Sequence, residues 1–284
     1  MNNIRVIARL DIKGPNLVKG IHLEGLRVLG NPEDFAKYYY EQGADELIYQ
    51  DVVASLFERN SLSDIITQTA KNIFIPLTVG GGIRTIEDIT KVLRAGADKV
   101  AINTAAVRNP DFIRQASKKF GSSTIVAAIE CIKQPDGKYL AFVDNGREET
   151  GIEALSWAQR VEELGAGEIL LTSVDRDGTG LGYDVALTRM IAAQVSVPVI
   201  AHGGAGSINH FSDVVSEGKA DAIAVASVIH YDALNNNVAN NGKTAEGNKS
   251  FINSGRTSFN KISGASIGQI KAQLTENNIA CRTL

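Results

Sequence analysis

Asp11 and Glu130 each close an apolar run, ARLD at 8–11 and AAIE at 127–130. Two carboxylates held at strand ends are suited to paired general acid and base work. Each could instead simply pair with a neighbouring cation such as Lys13 or Lys19. Two glycine clusters, at 80–82 and 203–206, supply a second kind of chemistry. Each follows a short apolar run behind a proline and opens onto a helix-like run. Such a turn offers unpaired backbone N–H groups and the positive end of a helix dipole, a ready cradle for phosphate. Gly81 and Gly82 mark the first cradle, Gly203 and Gly204 the second. Asn103 and Thr104, then Ala226 and Ser227, stand at the next strand ends and add further donors. Two equivalent cradles imply a ligand with a phosphate at each end, lying across one mouth. Lys19 and Arg27 fall in a long loop after the first strand, placed either to close over an anionic substrate or to form a solvated face. His22, His202, His210 and His230 have no metal-ligand spacing, and no Ser–His or Cys–His nucleophile pattern appears, so neither metal nor cofactor is expected.

The elements that must position these groups are duplicated. Gly81 and Gly82 recur 122 residues on as Gly203 and Gly204. Gly96 with Gly218, Gly43 with Gly165 and Glu46 with Glu168 keep the same offset, and Asp11 and Glu130 lie at nearly that spacing. This period is too long for a solenoid and marks a duplicated half-domain. Strand-like runs fall at 4–11, 46–53, 74–79, 99–103, 124–130, 168–173, 198–201 and 222–227. Helix-like runs fall between them at 34–42, 62–71, 86–95, 110–119, 152–164, 187–194 and 208–216, with a closing helix at 267–277. Alternating strands and helices give a parallel sheet, and two four-strand halves predict a single-domain α/β fold, a closed (β/α)8 TIM barrel. A doubly wound open sheet explains the repeat poorly. In a barrel the catalytic groups sit at the C-terminal strand ends, which brings Asp11 and Glu130 to opposite sides of one mouth. One Asn/Gly/Ser-rich stretch, 235–266, reads as an insertion after the last strand. It is either a lid or partner-contact loop, or a plain surface loop.

The 284 residues are 44% hydrophobic and 21% charged, with a formal charge of −3. That balance suits a soluble protein with a large core and argues against a general nucleic-acid or membrane surface. Cys131 and Cys281 have neither metal-ligand spacing nor disulfide density, and no apolar run reaches membrane-span length, so a cytoplasmic setting is expected.

The motifs ARLDIK around Asp11, VKG at 18–20, GADEL at 43–47, PLTVGGGIR, AGADKVAIN, LLTS, DRDGTGLGYD and PVIAHGGAG together resemble the cyclase subunit of imidazole glycerol phosphate synthase. The resemblance runs from about residue 5 to residue 230. It implies a barrel that takes ammonia from a glutaminase subunit docked at its N-terminal face. The ammonia would react with a bis-phosphorylated ribulosyl aminoimidazole carboxamide nucleotide, giving imidazole glycerol phosphate and an aminoimidazole carboxamide ribotide. It also implies Asp11 as the main acid/base, Asp177 and Gly178 as further phosphate-binding residues, and Lys19 and Thr172 as substrate contacts. Arg5, Glu46, Lys99 and Glu168 match a charged ring at the ammonia entrance, and Asp98 matches the partner interface. Three features depart from the family: Glu130 stands for its aspartate, His202 for its usual serine, and the 235–266 insertion is additional. The stretch IARLDIKGPNLVKGIHLEGLRV looks like a divergent branch that accompanies surface-polysaccharide (lipopolysaccharide, O-antigen) gene sets. For that branch the implied alternative is ammonia supply to a sugar-amidating enzyme.

Overall fold

Inward and outward positions alternate along the first strand, β1 (Arg5–Lys13), as a strand's two-residue period requires. Val6, Ala8, Leu10 and Ile12 enter the apolar layer that the helices cover, and Ile7 enters a separate cluster inside the sheet. The computed structural model describes residues 3–54, 62–238 and 261–283. In it β1 pairs in parallel with β2 (Glu46–Asp51), β2 with β3 (Leu77–Gly80), and β3 with β4 (Lys99–Ile102). The ladder continues through β5 (Ile125–Lys133), β6 (Glu168–Ser173), β7 (Val199–His202) and β8 (Ala222–Val225). β8 returns to β1, with Arg5 opposite Ala222, so the eight-stranded barrel is closed as expected.

Helices α1 (Pro32–Glu41), α2 (Ser63–Asn72), α3 (Ile86–Ala95), α4 (Asp111–Phe120), α5 (Ala154–Glu163), α6 (Val185–Ala192), α7 (Asn209–Ser216) and α8 (Ile267–Glu276) follow the strands. Their starts are written locally. The Asn31 side chain caps α1 ahead of Pro32, and Thr85 with Asp88 forms a capping box on α3. Gly96 ends α3 at φ 121°, a conformation that favours glycine.

Two antiparallel hairpins were not anticipated. β1 and β5 run on past the barrel and fold back as Asn16–Ile21 with Glu24–Gly30, and as Tyr139–Val143 with Glu148–Glu153. The expected loop holding Lys19 and Arg27 is therefore the first of these hairpins. The turns are repeat equivalents: His22 and Leu23 lie at φ 52° and 61°, Asp144 and Asn145 at the same two values. They meet across the mouth, where Asn145 Nδ2 donates to the Leu23 carbonyl at 3.1 Å. Short helices at Thr104–Arg108 and Ser227–Asn235 also begin where strands were expected to end. Thus Ser227 starts a helix, and the last strand stops at Val225. Most of the 235–266 insertion lies outside the described residues. Among the described residues no helix is long and apolar enough to cross a membrane.

Candidate active site

Three layers stack inside the barrel. At the N-terminal end, Arg5, Glu46, Lys99 and Glu168 form one ring of ion pairs. Arg5 Nη1 lies 2.7 Å from Glu46 and 2.9 Å from Glu168, and Lys99 Nζ lies 3.1 Å from Glu46 and 3.2 Å from Glu168. Four side chains from four strands meet here because each is the first inward residue of its strand. Above them sits an apolar layer that includes Ile7, Ile48, Val126, Leu170, Ile200 and three alanines at 101, 222 and 224. Such a layer excludes water and ions, whereas neutral ammonia carries no charge to desolvate.

The third layer is the mouth. Asp11 and Glu130 lie near the C-terminal ends of the barrel parts of β1 and β5, four strands apart either way round, which puts the two carboxylates on opposite sides. Their surroundings differ. Asp11 is 2% exposed, with Arg9 Nε at 2.9 Å and Lys19 Nζ at 3.7 Å. Burial opposes its ionisation, but the Arg9 and Lys19 cations outweigh burial and hold the carboxyl below its ordinary range. Glu130 accepts a hydrogen bond from the Gly146 N–H at 2.7 Å. Burial raises its carboxyl to about 7, against the opposing pull of Arg9 and that N–H. Two acids whose environments part their pKa values in this way are suited to different roles, one staying ionised and one able to exchange protons near neutrality.

Arg9 is the residue that sequence reasoning missed. It sits inside an apolar run, but the strand's alternation places it on the inward side with Arg5, Ile7 and Asp11. Its Nη1 donates to His202 Nδ1 at 3.0 Å and to Thr172 Oγ1 at 3.3 Å. Nδ1 therefore carries the lone pair and Nε2 the proton. Burial, then Arg9 and Lys19, keeps the His202 ring neutral, well below the ordinary histidine range. Thr172 and His202 also lie 3.2 Å apart.

The two cradles differ. Gly81, Gly82, Asn103 and Thr104 line a cavity of about 260 Å³ that reaches Glu130 and, at Ala101, the apolar layer below. A Cβ on Gly81 would strike the Asp51 carbonyl, so this turn needs glycine. Asn103 Nδ2 donates to the Phe142 carbonyl at 3.1 Å, and Thr104 Oγ1 accepts from the Asp144 N–H at 3.1 Å, which ties this cradle to the second hairpin. On the other side, Gly203 and Gly204 hold φ 95° and 109°, and Ala226 and Ser227 begin the Ser227–Asn235 helix. Asp177 there is bound to Lys19 Nζ at 2.8 Å, and its carbonyl accepts from the His22 N–H at 2.9 Å. Gly178 packs under the Gly20 carbonyl. A carboxylate repels phosphate, so any role of Asp177 toward one runs through Lys19.

Asp98 is placed at the N-terminal face, where its carboxylate accepts the Leu77 N–H at 2.8 Å. Asp221 does the same for the Val199 N–H at 2.9 Å. Among the described residues, no group of three or more His, Cys, Asp or Glu side chains could hold a metal ion.

The sequence profile of the family described as "Histidine biosynthesis protein" matches residues 5–235. A relative from Legionella pneumophila, named "Imidazole glycerol phosphate synthase subunit HisF", is 56% identical over 212 residues, 75% of this chain and 100% of that protein. A protein of the same name from Alkaliphilus metalliredigens (strain QYMF) is 49% identical over 230 residues, 81% of this chain and 91% of its own.

Proposed function

The chain belongs to the histidine biosynthesis protein family, and from that membership we propose that it is an enzyme, the cyclase subunit of an imidazole glycerol phosphate synthase. The subunit names of its relatives point to a partner subunit. That partner is a glutaminase docked on the N-terminal face, which releases ammonia beneath the Arg5–Glu46–Lys99–Glu168 ring. The ammonia passes the apolar layer and enters the mouth beside Ala101 and Glu130. The acceptor is a bis-phosphorylated ribulosyl nucleotide, with one phosphate on each glycine cradle and its ketose carbonyl between the two carboxylates.

The observation that carries this reading is the stacking on one axis of a charged ring, a dry apolar layer and an acid/base pair with separated pKa values. Glu130 takes a proton from the attacking nitrogen and returns it to the oxygen that leaves as water. Asp11, held as a carboxylate, stays ionised and stabilises cationic nitrogen. Positioned acid/base groups contribute about 10²- to 10⁴-fold each. The test supplies the nucleotide and ammonium salt at high pH to the purified chain and follows substrate absorbance, with no glutaminase present. Turnover that falls by about 10²-fold or more in Asp11→Asn is expected. Absence of turnover in the unsubstituted chain would sink the histidine-pathway assignment.

One observation favours a second reading. Arg9 and His202 pack into the second-half side of the mouth, and Asp177 takes up Lys19 there. A barrel adapted in this way suits delivery of ammonia to a different acceptor, such as a sugar destined for amidation by a third enzyme. Gain of nucleotide turnover in Glu130→Asp, from an inactive parent, separates this reading from the first.

A further inference from the structure

One edge of the Arg9 guanidinium is committed to the protein and the other is not. Nε is held by Asp11, and Nη1 by Thr172 and His202. Among the described residues Nη2 has no hydrogen-bond partner. It is also not one of the sealed, unpartnered polar atoms, which are Asn145 Oδ1 and His230 Nε2. Nη2 therefore keeps a little exposed surface, on the inward side of β1 that carries Asp11. Asp11 and Thr172 fix the plane of the group, so its free edge is aimed rather than swept. Arg9 stands beside Asp11 at 2.9 Å on the inward side of β1, and its charge also acts on Glu130. A 2%-exposed arginine with a pair of N–H donors to spare needs an oxygen acceptor that the protein does not supply.

We propose that Arg9 is a catalytic residue whose Nη2 edge donates to the carbonyl oxygen of the acceptor molecule, at the carbon that ammonia attacks. The proposal rests on the ammonia-dependent reading above but not on which acceptor is used. As the nitrogen lone pair forms the C–N bond, the carbonyl π pair moves onto oxygen, and the fixed guanidinium stabilises that charge. One proton passes from nitrogen to the Glu130 carboxylate and back to the oxygen, giving a neutral carbinolamine, and loss of water then leaves the imine. Arg9 keeps its own protons throughout. A preorganised donor in a dry site is worth about 10²–10³ in kcat.

The test uses the full chain with ammonium salt and the nucleotide, in Arg9→Lys and Arg9→Ala. Lysine keeps a cation beside Asp11 but lacks the planar fork. The expected result is a thermal midpoint close to that of the unsubstituted chain, KM changed little, and kcat lower by about 100-fold. Free guanidinium, added well below denaturing concentrations, restores part of the kcat of Arg9→Ala, which a purely structural arginine would not allow. Unchanged kcat in Arg9→Lys, a loss confined to KM, or failed rescue of a folded Arg9→Ala overturns the proposal. If the unsubstituted chain does not turn over, the nucleotide assignment fails and Arg9 is judged by binding instead. The guanidino ¹⁵N resonances of the full chain are then recorded with ribulose 5-phosphate and with ribitol 5-phosphate, using Arg9→Lys for assignment. An Arg9 shift produced by the ketose and not by the alcohol supports the contact, and equal responses overturn it.

Discussion

Glu130→Gln isolates the effect of an ionisable group in a dry site. Burial raises the Glu130 carboxyl from 4.5 to about 7, so the folded chain holds its proton more tightly than the unfolded chain does. The stabilising contribution of that proton is complete below the unfolded value, and it is lost as pH rises through the folded value. A shift of about 2.5 units amounts to about 3 kcal/mol in full, and about 2.5 kcal/mol of it falls between about pH 5 and about pH 8.5. Glutamine keeps the shape and the acceptor for the Gly146 N–H, but it does not titrate. Arg9 and Cys131, which the Glu130 charge also shifts, titrate above this range and cancel in the difference. Urea unfolding of both forms at the two pH values should therefore show the variant gaining about 2.5 kcal/mol on the parent as pH rises. A difference that stays constant with pH would refute the buried, proton-holding Glu130, and with it the division of labour between Glu130 and Asp11.

The remaining predictions probe the second cradle and the face proposed for the partner. Gly204→Ala places a Cβ against the Gly182 carbonyl at φ 109°, and should cost about 1–3 kcal/mol in thermal unfolding and raise KM for a bis-phosphorylated substrate. Phe74→Ala removes a side chain 78% exposed on the loop before β3, at the N-terminal end of the barrel. The barrel's thermal midpoint should hold, while calorimetric titration with the glutaminase should lose about 1 kcal/mol or more if this ring anchors the partner.

The architecture was legible in the sequence through the residues repeated in it. Gly81, Gly203, Glu46 and Glu168 were found through their 122-residue offset, and that same offset predicted a closed barrel with opposed carboxylates. The hairpins were not found, although His22 and Leu23 bear the same offset to Asp144 and Asn145. Their side chains differ and only the backbone conformation is shared, so the likeness is invisible in residue type. Arg9 was hidden for another reason. A charged residue in an apolar run reads as an interruption until the two-residue period of β1 puts it on the inner side. Only then does it share a face with Arg5 and Asp11. The Lys19–Asp177 pair joins positions far apart in sequence, and only a folded hairpin brings them together.

Duplication gives two equivalent cradles, but the side chains around them have made the halves unequal. On the first-half side Glu130, Asn103 and Thr104 leave open space that reaches down to Ala101. On the second-half side Arg9 is tied to Thr172 and His202 and Lys19 to Asp177, with two cations against the carboxylates of Asp11 and Asp177. A phosphate arriving there must compete with Asp177 for Lys19, and the exchange is close to balanced because one anion replaces another on the same cation. At the first cradle Arg108 is also paired, with Asp144 at 2.8 Å, but this arginine is exposed and such a pair costs less to exchange than the buried one. The first-half site should therefore fill first and hold the ligand more strongly. The second end then docks as Lys19 changes anions, and that exchange frees the first hairpin's tie to Asp177. On this argument the order of docking follows from the charge pairing in the mouth, and the glycine turns, being alike, cannot set it.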